Sequence, residues 1–331
     1  MKRAGNLIPH IADMDNLRLA FWKARKGKDG KAAVIAYRKE LDQNLLQLRN
    51  QLLTGKVEVG HYHYFTIYDP KERVICAASF PERVLHHALM NGCQEVFENF
   101  QIYDSYATRK GKGTYAALHR AQNFQKKYRW YLKLDIRKYF DSIDQAILLQ
   151  LLTKRFKDQR LLNIFEQIIL SYEVQTGKGV PIGNLTSQYF ANFYLAFADR
   201  FIKEQLKIPA YVRYMDDMVL WHSDKEVLLN AREQFTCFLE KKLQLALKIA
   251  QLNKSTQGLP FVGYRVFPNY TKLSLRSKKR FKTKMVTYAQ YLEDGIWSQE
   301  DYQRHILPLL AFTQHASTME YRKRILQKIG Q

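Results

Sequence analysis

Apolar residues recur at helical spacing through the N-terminal segment, and residues 1–60 read as two helices. The second carries Leu41, Leu45, Leu48 and Leu52 on one face before Gly55 stops it. Between His61 and Phe80 the pattern shortens to aromatic and β-branched runs, HYHYFTIY and RVICAASF, interrupted at Asp69-Pro70. Such runs predict two strands joined by a turn. Pro81 then opens a helix with Val84, Leu85, Ala88 and Leu89 along one face.

Residues 131–136 form a short apolar strand bearing Asp135 near its end. Ser142 with Gln145 makes a capping-box pattern ahead of Ile147, Leu148, Leu151 and Leu152. A helix is predicted from about Ser187 to Leu206, stopping before Pro209. Tyr211–Met215 and Met218–Trp221 then read as strands separated only by Asp216-Asp217, a hairpin with both carboxylates at its tip. Ser223 with Glu226 suggests a second capping box, opening a helix through Val227, Leu228, Ala231, Phe235 and Leu239. Leu245–Ala250 and Leu259–Phe267 look like a strand pair joined by the polar turn NKSTQG. Residues 271–331 open with the basic run RSKKRFKTK and read as helices without a strand pattern.

Composition narrows the class. At 331 residues, 46% apolar and 13% aromatic, the chain can bury two or three packed units, and no apolar run approaches the ~18 residues of a membrane span. Its formal charge of +22 is spread along the chain, which points to a polyanionic partner such as nucleic acid. Cys76, Cys93 and Cys237 form no CxxC pair and read as reduced core thiols. His61, His63, His86 and His87 lack zinc-ligand spacing, and the GKG within Thr176–Val180 lacks a Walker continuation. The opening MKRAGNLIPHIADMDN carries no secretory h-region, so a cytoplasmic location is expected.

Asp135, Asp216 and Asp217 are the candidate chemistry. Two adjacent acids at a hairpin tip raise each other's pKa unless a cation sits beside them, although Asp-Asp also suits a plain surface turn. Joining nucleotides builds charge on the attacking and leaving oxygens, which two divalent ions ~3.5–4 Å apart can stabilise. Mg²⁺ takes oxygen ligands, so carboxylates at neighbouring strand ends suffice.

The flanks decide between these readings. Tyr214-Met215-Asp216-Asp217 resembles the YMDD box of reverse transcriptases, and LDIRKYFDSID at 134–144 resembles the family's first catalytic motif. RVICAASFPERVLHHAL at 73–89, SYATRKGKGTYAALHRAQ at 105–122 and LALKIAQLNKSTQGLPFVGYRVF at 245–267 resemble further blocks in the family's order. The resemblance covers about Lys71 to Phe267. It implies an α+β right-hand polymerase: fingers, a palm made of a small antiparallel sheet backed by helices, and a helical thumb. The expected division is a helical extension at 1–60, mainly fingers at 61–130, mainly palm at 131–270 with fingers elements near 150–185, and thumb at 271–331.

The resemblance also implies roles. Asp135, Asp216 and Asp217, with the Ile136 backbone carbonyl, would hold two Mg²⁺ ions, Mn²⁺ being a possible substitute. Lys71 and Arg73 would contact the incoming dNTP, and Phe140 would exclude a 2′-hydroxyl by bulk. Arg109, Lys110 and Lys112 in the RKGKG stretch would grip template phosphate, with Gly111 and Gly113 allowing close backbone approach.

PIGNLTSQYFAN at 181–192 discriminates within the family. Most relatives carry Gln-Gly and Ser-Pro there, whereas this chain has Ile182-Gly183 and Ser187-Gln188, similar to the enzymes of diversity-generating retroelements. Those copy a template-repeat RNA into cDNA with frequent errors opposite adenines, and work with a small basic helical accessory variability protein that is homo-oligomeric. Ile182 and Gln188 are accordingly the expected fidelity residues beside the template base. The alternatives are a retron, group II intron-like or phage-defence reverse transcriptase, and a catalytically idle RNA-binding scaffold. No ribonuclease H or endonuclease domain is expected within this length, and a bacterial or phage source fits best.

Overall fold

A computed structural model describes residues 2–68 and 72–329, so the expected Asp69-Pro70 turn and Lys71 lie outside the described residues. The elements, in chain order, begin with α1 (Ile8–Ile11), α2 (Met14–Arg25), α3 (Ala32–Lys39), α4 (Leu41–Thr54), β1 (Tyr62–Tyr68), β2 (Glu72–Ala78), α5 (Phe80–Glu98) and α6 (Thr114–Lys127). They continue with β3 (Trp130–Asp135), α7 (Tyr139–Ser142), α8 (Gln145–Thr153), α9 (Gln159–Leu170), α10 (Leu185–Arg200), β4 (Ala210–Tyr214), β5 (Asp217–His222) and α11 (Lys225–Phe238). Last come β6 (Gln251–Lys254), β7 (Leu259–Phe261), β8 (Tyr264–Val266), β9 (Thr271–Leu273), α12 (Leu275–Glu293), α13 (Gln299–Gln314) and α14 (Met319–Ile329).

The chain forms two compact units, the first made of Met1–Tyr103, Ile136–Gln205 and Gln234–Lys248. Its core is aromatic: Phe97 lies within 6.4 Å, ring centroid to centroid, of Phe156, Phe165, Phe190 and Phe193. Residues 1–60 fold into four helices rather than the two expected, because Lys26 and Glu40 break the apolar runs with non-helical backbone. Gly55 does end α4, in the left-handed conformation that glycine adopts without cost. The capping-box reading of Ser142 is corrected: Asp144 caps α8 by accepting the Ile147 N–H, and the Ser142 hydroxyl bonds back to the Arg137 and Lys138 carbonyls. Gln145 is buried, and its amide donates to the carbonyls of Ile169, Tyr172 and Gly179, pinning α8 to the loop ahead of α10.

β1 and β2 pair as an antiparallel hairpin in this unit. The Cys76 N–H on β2 donates to the Ile182 carbonyl (2.9 Å), and the Ala78 N–H to Asn184 Oδ1 (2.9 Å). The PIGN segment thus runs beside β2 on main-chain and Asn184 contacts. Gly183 has φ +119°, and a Cβ there would stand 2.8 Å from Ile75 Cγ2, so only glycine fits.

The second unit comprises Asp104–Asp135, Leu206–Glu233 and Ile249–Gln331. It holds a four-stranded antiparallel sheet, ordered β4-β5-β3-β6, and a three-stranded sheet, β7-β8-β9. α6 covers one face of the larger sheet: Ala117, Leu118, Ala121 and Phe124 bury against Tyr131, Ala210, Val212, Val219 and Trp221. The buried Trp221 indole donates to Gln125 Oε1 (2.8 Å), whose own amide donates to the Val266 carbonyl (2.9 Å). α12, α13 and α14 close on a smaller core of Phe281, Met285, Ile306 and Ile325.

Three strand expectations are corrected here. Leu245–Ala250 is not a strand; β6 follows it and pairs with β3. Leu259–Phe267 is not one strand but the β7-β8 hairpin, since Val262 and Gly263 both take positive φ (41° and 90°), as a type I′ turn requires. β9 lies inside 271–331, where no strand was expected. The second capping box also moves, Asp224 Oδ1 accepting the Glu226 N–H in place of Ser223. Cys76 and Cys93 are buried, but Cys237 is exposed. Among the described residues no helix is long and apolar enough to cross a membrane.

Candidate active site

Strand alternation builds the site. Tyr131, Lys133 and Asp135 share one face of β3 and stand opposite Trp221, Val219 and Asp217 of β5. The Tyr131–Trp221 end of this face packs under α6, and towards the other end it becomes charged. Tyr214 pairs with Asp217 to close the β4-β5 hairpin, whose loop is Met215-Asp216. The expected Asp216-Asp217 tip is therefore shifted by one residue. Asp217 begins β5 and lies directly across from Asp135, while Asp216 occupies the turn. The shift has a backbone cause: Met215 takes φ +53°, a left-handed conformation at the first position of the two-residue loop.

Lys133 Nζ forms an ion pair with Asp217 Oδ2 (3.1 Å) and donates to the Pro260 carbonyl of β7 (2.8 Å). Asp217 Oδ1 is closed off from solvent and accepts no hydrogen bond. Burial pushes the Asp217 carboxyl up to about 6; Lys133 opposes that shift, and the charges of Asp135 and Asp216 add to it. The three acids therefore share one electrostatic neighbourhood. Among the described residues, however, no three His, Cys, Asp or Glu side chains are gathered to hold a metal ion between them. The donor chemistry fits Mg²⁺ all the same: the set is all carboxylate, and one buried oxygen lacks a partner.

Around the hairpin the second unit supplies further contacts. Arg213 is fully buried and donates through Nη1 to the Met215 carbonyl (3.1 Å). Its backbone bonds both ways with 104–106: Arg213 N–H to Asp104 O (2.9 Å) and Tyr106 N–H to Arg213 O (3.0 Å). The Thr114 hydroxyl donates to the Tyr214 hydroxyl (3.0 Å), tying the start of α6 to the same hairpin. In the RKGKG turn, Arg109 Nη1 donates to the Ser105 carbonyl, Lys112 Nζ lies 5.1 Å from the Tyr106 ring centroid, and Lys110 is exposed.

The remaining candidates belong to the first unit. Arg73 is exposed on β2, Phe140 is half-buried in α7, and Ile136 is buried and bridged to Leu247. The Val180 N–H donates to the Phe140 carbonyl (3.0 Å), which brings Phe140 near the PIGN segment carrying Ile182. Gln188 is half-buried in the first turn of α10.

Sequence reading missed Lys133, Arg213, Thr114 and Asn184. Two had a visible signal. Lys133 lies two positions from Asp135, hence on its face, and Arg213 is a lone cation in the otherwise uncharged strand AYVRY.

A small antiparallel sheet backed by a helix, with an acidic hairpin laid against a strand ending in a third acid, is the palm architecture of enzymes that polymerise nucleotides. The chain belongs to the reverse transcriptase (RNA-dependent DNA polymerase) family, which it matches over residues 69–288. It is 21% identical to Protein YkfC of Escherichia coli K12, across 69% of this chain and 74% of that one. It is 24% identical to the group II intron-encoded protein LtrA of Lactococcus lactis subsp. cremoris, across 42% of this chain and 24% of LtrA. The chain thus spans about a quarter of LtrA's length. In fold it resembles apo telomerase from Candida tropicalis, with a TM-score of 0.51 at 11% identity, covering 88% of this chain and 66% of that one.

Proposed function

We propose that this protein synthesises DNA on an RNA template, with Asp135 and Asp216 holding divalent metal and Asp217 completing the acidic cluster. The observation that carries the reading is the register that sets Asp217 across from Asp135, with Asp216 in the adjoining turn. Mg²⁺ bound there would stabilise charge on the attacking 3′-oxygen and the leaving pyrophosphate. The carboxylates supply fixed negative charge, Asp135 and Asp217 at strand ends and Asp216 in the adjoining turn, so that the sheet limits their reorganisation. Arg73, with Lys71, is assigned to the triphosphate of the dNTP, Phe140 to the sugar, and Ile136 to a metal through its carbonyl. Arg109, Lys110 and Lys112 are assigned to template phosphate. Of these, Lys110 has the exposure such a contact needs.

Within the family, the reading favoured here is a diversity-generating retroelement enzyme. It would copy a template-repeat RNA with errors at adenines alongside a small basic accessory protein. Its support is the Ile182-Gly183 and Ser187-Gln188 pattern in the sequence; Ile182 and Gln188 are assigned to the template base. Similarity to LtrA favours a second reading, a group II intron-like reverse transcriptase.

Mg²⁺-dependent extension of a primed RNA template by the purified chain tests the activity. Asp135→Asn and Asp216→Asn are expected to abolish extension, and full synthesis by either variant would remove the assignment. Sequencing the cDNA, with and without a candidate accessory protein, separates the two readings: substitutions concentrated at template adenines support the first, and a uniform low error rate the second.

A further inference from the structure

The acid cluster contains a cation of its own. Lys133 is held by two acceptors of different kind, a carboxylate oxygen of Asp217 at 3.1 Å and the neutral carbonyl of Pro260 at 2.8 Å. Its side chain is only 17% exposed, and these two contacts replace part of the ammonium's hydration. Strand geometry fixes its position. Lys133 pairs across from Val219, one same-face step back from the Asp135–Asp217 pair, within diagonal reach of Asp217.

We propose that Lys133 is a tethered counter-ion that competes with divalent metal for Asp217, and so sets the metal concentration at which the site fills. The proposal rests on the polymerase reading above and adds a regulator of its metal affinity. Asp217 Oδ2 carries the ammonium, which leaves Oδ1, buried and without a hydrogen-bond partner, as the oxygen with unused capacity to accept a ligand bond. A carboxylate shared with an ammonium is a weaker metal ligand, because part of its charge is already neutralised. The Pro260 carbonyl makes the competition reversible: Lys133 can leave Asp217 while keeping one strong acceptor. Lys133 is thus a positioning residue that acts through Asp217.

The test is a Mn²⁺ titration of the full chain, followed by the electron paramagnetic resonance signal of free Mn²⁺, so that it does not depend on catalysis. Lys133→Met keeps the chain length and removes the charge, and is expected to tighten Mn²⁺ binding on the order of tenfold. Lys133→Arg keeps the charge and is expected to stay within about threefold of wild type. Asp217→Asn is expected to weaken binding far less in the wild-type background than in Lys133→Met, where Asp217 is no longer shared. Unchanged or weaker binding by Lys133→Met overturns the proposal. Should that variant not fold, Asp217→Asn weakening wild-type binding as much as Asp135→Asn does would overturn it equally. Asp135→Asn also separates this failure from that of the polymerase reading: if it leaves Mn²⁺ binding and primer extension intact, the active-site assignment itself is wrong.

Discussion

The fully buried guanidinium of Arg213 donates to the carbonyl of Met215, two residues along the chain at the first position of the acidic hairpin's loop. Met215 has φ +53°, a conformation that costs a non-glycine residue about 1–2 kcal/mol. The Arg213 contact helps hold it, and with it Asp216, the next residue. Arg213→Met is therefore expected to lower kcat for primer extension roughly tenfold to a hundredfold, as loss of sub-ångström positioning does, while KM for dNTP moves less than about threefold. Stability should fall by about 2 kcal/mol for the lost charged hydrogen bond. Steady-state kinetics with urea denaturation check both, and the conservative Arg213→Lys should rescue stability better than rate. A rise in KM with kcat unchanged would place Arg213 in substrate binding instead.

Gly183 is where the PIGN segment meets β2. An added Cβ would press on Ile75 Cγ2 at 2.8 Å and the Cys76 carbonyl at 3.4 Å, with φ at +119°. Gly183→Ala should destabilise the chain by about 2–4 kcal/mol, combining backbone strain with overpacking. Gly111 is the control: its φ is +71°, but nothing lies within 4 Å of the added carbon, so Gly111→Ala should cost only about 1 kcal/mol. Equal urea midpoints for the two variants would show that the close approach to β2 carries no weight.

The parts of this fold legible in the sequence are those that local chemistry decides. β1, β2 and β3, the helix opened by Pro81 and the two strands around the acidic hairpin all follow from residue period and from glycine or proline punctuation. What the sequence hid is set by pairing or by competition between neighbours. Ser142 and Asp144, like Ser223 and Asp224, are both able caps lying close together, and only the backbone direction selects the aspartate. Residues 245–250 carry alternating apolar side chains yet make no strand, because it is residues 251–254 that find an edge on β3. The one-residue displacement of the hairpin tip likewise depends on Met215 accepting a positive φ, which composition does not announce. As to the candidate site, the acids were readable as a motif. Their nearest cation, Lys133, emerges only when register places it diagonal to Asp217.

His86 gives the first unit a pH dependence. It is buried on α5 with Nε2 unpartnered, and burial, followed by the charges of His87 and Arg83, lowers its pKa to about 3. The unfolded chain protonates this imidazole below about pH 6.5 and the folded chain does not until near 3. Between those values the unfolded state holds the extra proton, so stability falls as pH drops through the window. From pH 7 to 5 the loss attributable to His86 is about 2 kcal/mol. Urea titrations at the two pH values should show His86→Leu losing about that much less than wild type on acidification. An identical pH response in both proteins would exclude His86 as the source.

Ile182 offers a test of fidelity that folding defects should not confuse. Its carbonyl, not its side chain, accepts the Cys76 N–H of β2, and its side chain is only half-buried. Replacement by glutamine should therefore leave the PIGN segment docked and the melting temperature within a few degrees. If the aliphatic side chain relaxes selection by withholding a hydrogen bond near the sugar and base pair, Ile182→Gln restores about 1 kcal/mol of discrimination, roughly a fivefold fall in misincorporation. That amount is too small to create the proposed adenine specificity alone, which would need further residues such as Gln188 or a partner protein. Sequencing cDNA made by both proteins on one adenine-rich RNA template reads the effect directly. An error spectrum that does not change at adenines would remove Ile182 from the account of fidelity while leaving the polymerase reading untouched.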